Sequence, residues 1–88
     1  MMILLGSSAA MISNAQLRAA RGLLDWSQSK LAERAGLSLP TIKRLERGWQ
    51  GVSEDAQAKV ASALETAGVV FINGDEPGVK LRKKDKAA

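Results

Sequence analysis

The chain has 88 residues, no cysteine, no histidine and a net charge of +4. That length suits one domain with a small core. The missing residue types exclude disulfides and thiolate metal sites, and they remove the usual general base and the commonest zinc ligand. No catalytic constellation is visible, so no enzyme activity, cofactor or metal is expected.

Residues 1–11, MMILLGSSAAM, bear a faint likeness to a signal peptide. The first basic residue is Arg18 and the apolar run is only five residues, so a charged n-region and a full h-region are both missing. No stretch is long enough to cross a bilayer. The expectation is a cytoplasmic protein with a flexible N-terminus over residues 1–11, and Met11 is an alternative start.

Structure is expected from Ile12 onward. Ser13 followed by Gln16 forms a capping box, with Ile12 and Leu17 as a hydrophobic staple. Ser27 caps a second helix, stapled by Trp26 and Leu31. Ser38 caps a third, stapled by Leu37 and Ile42. Ser53 caps a fourth, with Glu54 and Asp55 placed to suit the helix dipole. Gly36, Gly48 and Gly68 each follow a helical segment, where a left-handed residue is wanted, and Asp25 takes that role after the first helix. Apolar residues recur at helical spacing: Leu17, Ala20 and Leu24; Leu31 and Ala35; Ile42 and Leu45; Val60, Leu64 and Ala67. These predict one core.

After Gly68 the pattern changes. Val69 to Ile72 is β-prone, 73–78 is turn material, and Val79 to Arg82 alternates apolar with basic. This reads as a short β-hairpin over 69–82, which needs packing partners because two strands alone are not stable. Residues 83–88 read as a disordered basic tail. The fold class is therefore mainly α, a compact four-helix unit over 12–68 followed by a hairpin.

Charge is segregated along the chain. From Arg18 to Arg47, seven basic residues face three acidic ones; from Gly48 to Val79, five acids face only Lys59; from Lys80 onward, five basic residues face Asp85. Such polarity can turn one face toward a polyanion, or it can merely decorate solvated surfaces.

The segment Gln28 to Gly48, QSKLAERAGLSLPTIKRLERG, has the spacing of a helix-turn-helix. Ala32 is small where the next helix crosses. Gly36 opens the turn, where a side chain would cost energy. Leu37 plugs the corner, and Ile42 and Leu45 anchor the second helix. At 100° per residue, Pro40, Arg44 and Arg47 then point away from the core, flanked by Thr41 and Lys43. A helix of this kind fits the major groove with its N-terminal residues at base edges. Leu39, Pro40, Lys43 and Arg44 are the candidate base contacts. Arg44 can bond bidentately to a guanine, or it can serve as a phosphate contact or a solvated arginine. Leu39 and Pro40 can touch a thymine methyl or shape the helix entrance. Ser27, Gln28, Thr41, Arg47, Trp49 and Gln50 are the candidate phosphate contacts; the other reading of Trp49 is a cover for the edge of the core.

These residues resemble the XRE family, the Cro and lambda-repressor type of helix-turn-helix domain. The likeness rests on Arg21, Ser27-Gln28, Leu31-Ala32, Gly36-Leu37-Ser38, Thr41-Ile42 and Leu45-Glu46-Arg47-Gly48, and it spans roughly Asn14 to Gly68. It implies a lambda-repressor-like bundle that binds operator DNA, usually as a dimer. It also implies that Gln28 caps the second helix against a phosphate, that Arg21 and Glu46 form a structural ion pair, and that Leu39, Pro40 and Arg44 occupy base-contacting positions. The family pattern is polar at two of those three, where this chain has Leu39 and Pro40. That shifts weight to Arg44, Lys43 and DNA shape.

The function expected is a sequence-specific transcriptional repressor, a homodimer on double-stranded DNA, inserting Ser38 to Arg47 in the major groove. Val70 and Ile72 are a candidate dimer edge, and the basic tail is a candidate phosphate contact. The alternative is an antitoxin or adaptor that binds a protein partner, a toxin or another regulator. No membrane partner is expected.

Overall fold

Four serines start the four helices. In the computed structural model, which describes residues 12–48 and 51–82, the helices are α1 (Asn14–Leu24), α2 (Gln28–Ala35), α3 (Leu39–Arg47) and α4 (Glu54–Thr66). Ser13, Ser27, Ser38 and Ser53 have extended or near-extended backbones, and each side chain accepts from the amide three residues on. Each such cap contributes about 1 kcal/mol by satisfying a donor the helix cannot.

The helix ends follow two different devices. Asp25 (φ 59°) and Gly36 (φ 72°) are left-handed, as the sequence predicts. Gly48 is not. Its φ of −166° is extended backbone. The reason lies across the bundle: the Asn14 amide and the Arg18 guanidinium donate to the Glu46 carbonyl at 3.3 and 2.7 Å. With that terminal carbonyl satisfied by α1, no left-handed turn is needed to close α3.

Leu17, Leu31, Ile42, Leu45, Val60, Leu64 and Val69 are the largest fully buried side chains, so every helix contributes to one core. Burial at this level is worth roughly 1.5–3 kcal/mol per large side chain. Ile12 is buried with Leu17 in the same core, completing the staple at the start of α1.

The hairpin belongs to that core. Strands β1 (Val69–Ile72) and β2 (Gly78–Leu81) pair antiparallel with Val69 opposite Leu81 and Phe71 opposite Val79. The second strand begins one residue earlier than the alternation suggests, and Arg82 still donates to the Gly68 carbonyl at 2.7 Å. Phe71 and Val79 pack on the helical core, which includes Val69. Gln16 locks this arrangement. It is only 5% exposed; its Oε1 accepts from the Ser13 amide, while its Nε2 donates to the carbonyls of Ile72 and Gly78 at 3.1 and 3.0 Å. One side chain thus starts α1 and ties down the turn end of the hairpin.

Candidate nucleic-acid interface

The second helix of the helix-turn-helix is built with two faces. Ile42 and Leu45 are fully buried. Pro40, Lys43, Arg44 and Arg47 are exposed on the other side, and the turn from Gly36 to Ser38 sets the angle between α2 and α3. Among the described residues, the side chains of Lys43, Arg44 and Arg47 have no hydrogen-bond or ion-pair partner. Their cationic heads are therefore unspent.

Glu46 holds α3 in place. Its carboxylate is 5% exposed and receives three donors: Arg21 Nε on Oε2 at 2.6 Å, Arg21 Nη2 on Oε1 at 3.1 Å, and Gln28 Nε2 on Oε1 at 3.1 Å. Arg21 also donates from Nη1 to the Trp26 carbonyl. A buried carboxylate is tolerated only when paired and hydrogen-bonded, and here the pairing joins α1, α2 and α3 at one point. The bidentate fork fixes orientation as well as distance.

Gln28 is thus half-buried and oriented by Glu46, at the first position of α2. Its amide has a second N–H, which no described residue accepts. Ser27 is exposed; its oxygen accepts from the Lys30 amide, which leaves the hydroxyl proton free to donate. The Thr41 hydroxyl lies 2.9 Å from that of Ser38. Leu39 and Thr41 are half-buried, whereas Pro40 and Arg44 are exposed. Trp49 and Gln50 lie outside the described residues, as do residues 1–11 and 83–88.

The helix N-termini differ in charge. None of α1, α2 and α3 carries an acid in its first turn, whereas α4 carries Glu54 and Asp55. The positive ends of α2 and α3 are left uncompensated, and that of α4 is neutralised.

A family model for helix-turn-helix proteins matches residues 17–67, well over half of the chain. The chain belongs to the XRE, or lambda-repressor-type, helix-turn-helix family. Its family is one of DNA-binding regulators, and the matched segment runs from the first core leucine of α1 through α4. No curated protein matches the chain.

The helix-turn-helix proper is α2 and α3, yet much of what fixes α3 in this family member comes from α1. Asn14, Arg18 and Arg21 stand four and three residues apart, on one stripe of α1 facing the end of α3. By sequence, Arg18 is simply one cation of a basic region. In the fold its guanidinium is committed to the Glu46 carbonyl. The spacing 14, 18, 21 is the sequence signal for this polar stripe. Gln16 looks locally like half of a capping box and no more; its grip on the hairpin depends on partners 56 and 62 residues away, which no local pattern reveals.

Val70 and Ile72 alternate with the core-facing Val69 and Phe71, so they lie with Lys80 on the outward face of the sheet. The open backbone edges of the two-stranded sheet flank that face. No helix among the described residues is long and apolar enough to cross a membrane.

Proposed function

We propose that this protein is a sequence-specific transcriptional repressor that works in the cytoplasm as a homodimer and reads DNA by inserting α3 into the major groove. The single observation that carries this reading is the outer face of α3. Lys43, Arg44 and Arg47 are exposed and unpartnered among the described residues, on a helix clamped from behind by Ile42, Leu45 and Glu46. A rigidly held cationic helix suits direct readout, because side chains must meet base edges without first being ordered.

In this reading Arg44 supplies the principal base contact and Lys43 the second. Leu39 and Pro40 shape the approach and meet thymine methyls. Phosphates are held by Ser27, Gln28 and Thr41 near the uncompensated helix ends and by Arg47 at the end of α3, with Trp49 and Gln50, which follow it in sequence, as further contacts. Gln28 is pre-set for this by Glu46, so the ion pair with Arg21 acts on DNA binding by positioning.

One such module buries a small interface, so tight binding needs two half-sites. The large apolar side chains exposed among the described residues, Leu23, Ile72 and Leu81, all lie on α1 or the hairpin. Val70, Ile72 and the open sheet edges of the hairpin support self-association there. The test is a gel shift on DNA from the chain's own promoter region, with Arg44→Ala beside the wild type. Retarded complexes that survive competition by unrelated DNA, and that weaken about tenfold or more in the variant, are expected. Binding that unrelated DNA abolishes in the wild type would end the repressor reading.

A further inference from the structure

Between α2 and α4 lies a cleft of about 510 Å³ that the DNA-binding face does not use. Alanines line it, among them Ala35 on α2 and Ala58 and Ala63 on α4, together with Trp26 and with Ser62 and Thr66 on α4. Arg34 and Lys59 stand at its rim, and no carboxylate lines it. The Arg34 guanidinium lies 5.4 Å from the centroid of the Trp26 ring, and among the described residues it has no hydrogen-bond or ion-pair partner. Lys59 has one partner, Asp55 at 3.4 Å, and both groups are at least half exposed, so this pair exchanges easily with other anions.

We infer that this cleft is a binding site for a small organic anion with a flat apolar body, such as an aryl carboxylate. Three features select that chemistry. An arginine drawn over an indole ring by a cation–π contact still needs an acceptor for its donors, which a carboxylate meets bidentately. An indole and several small alanines in one lining leave room for a flat apolar body, since the methyls add almost no bulk of their own. The volume falls within the range of small-molecule sites, roughly 300–1,000 Å³. A protein partner is the less suited occupant. Protein interfaces centre on large apolar anchors, and the exposed ones here lie on α1 and the hairpin, away from the cleft lining.

The site is tested by NMR titration of the full-length labelled protein with 2-naphthoate, and with 2-naphthalenemethanol as its uncharged counterpart. Saturating shifts are expected at the Trp26 indole and at Ala35, Ala58 and Ala63. Arg34→Gln should weaken naphthoate binding about tenfold and leave the weak binding of the alcohol unchanged. Ala58→Phe, at an exposed helix position, should fill the slot and abolish both while the fold stays intact by circular dichroism. The inference is overturned by failure to saturate at about 10 mM naphthoate, by shifts elsewhere on the molecule, or by equal binding in Arg34→Gln. It is equally overturned if these residues shift with protein concentration and not with naphthoate, because the cleft is then a self-association face.

Discussion

Gln16 offers the sharpest test of how the hairpin is held. Replacing it with Met keeps the volume and removes all four side-chain hydrogen bonds, including the longest, from Nε2 to Asn73 Oδ1 at 3.4 Å. The Ser13 amide sits at the helix start and can turn to water, so its loss costs little. The carbonyls of Ile72 and Gly78 are part-buried and lose their shared donor. Each such loss costs roughly 1–1.5 kcal/mol, for a total of about 2–3 kcal/mol. In a domain of this size that lowers Tm by roughly 10–20 °C. Gln16→Glu separates donor from acceptor. It keeps the oxygen that caps Ser13 but points a second oxygen at two carbonyls, so above neutral pH it should be less stable than Gln16→Met. Thermal unfolding by circular dichroism measures both, and hydrogen exchange should show the hairpin amides opening more than those of α2 and α3. If Gln16→Met lies within about 0.5 kcal/mol of the wild type, or if the Glu variant equals the wild type, the clamp does not hold the hairpin.

Other substitutions probe the scaffold behind α3. Glu46→Ala strands the Arg21 guanidinium and should cost about 2–4 kcal/mol in urea unfolding; Glu46→Gln, which keeps a hydrogen-bonding oxygen, should cost clearly less. Gly36→Ala meets no atom within 4 Å of the added carbon, so its penalty is purely that of a left-handed backbone, about 1–2 kcal/mol. A larger loss would show that the turn is also sterically tight. Deleting residues 83–88 removes three lysines, and if the tail tracks phosphates the slope of log K against log salt should fall by about 0.9 for each phosphate no longer neutralised. An unchanged slope would assign DNA affinity to the helical unit alone.

The parts of this fold that act locally are legible in the sequence. The serine caps, the staples, the left-handed Asp25 and Gly36, and the period of Leu31, Ile42 and Leu45 are each written within a few residues of where they act. The parts that are not legible are carried by long-range polar interactions. Gly48 resembles a left-handed stop because glycine usually marks one; the donors from Asn14 and Arg18, more than 25 residues earlier, make that conformation unnecessary. The Arg21–Glu46 pair is reached through a family likeness, and the addition of Gln28 to it needs the relative placement of α2 and α3. The outer face of α3 follows from helical geometry once its buried side is known. Which of its residues meet bases depends on how the domain sits on DNA, and no local pattern in the chain encodes that docking.

Groove reading by α3 is tested most directly by selecting binding sites from random double-stranded DNA, in parallel for the wild type and Arg44→Ala. A major-groove reader predicts a defined motif, arranged as two related half-sites about one helical turn apart. It further predicts that Arg44→Ala relaxes the preference at one guanine position in each half-site and keeps the rest of the motif. A wild-type selection that yields no motif, or a motif unchanged by the loss of Arg44, would contradict it.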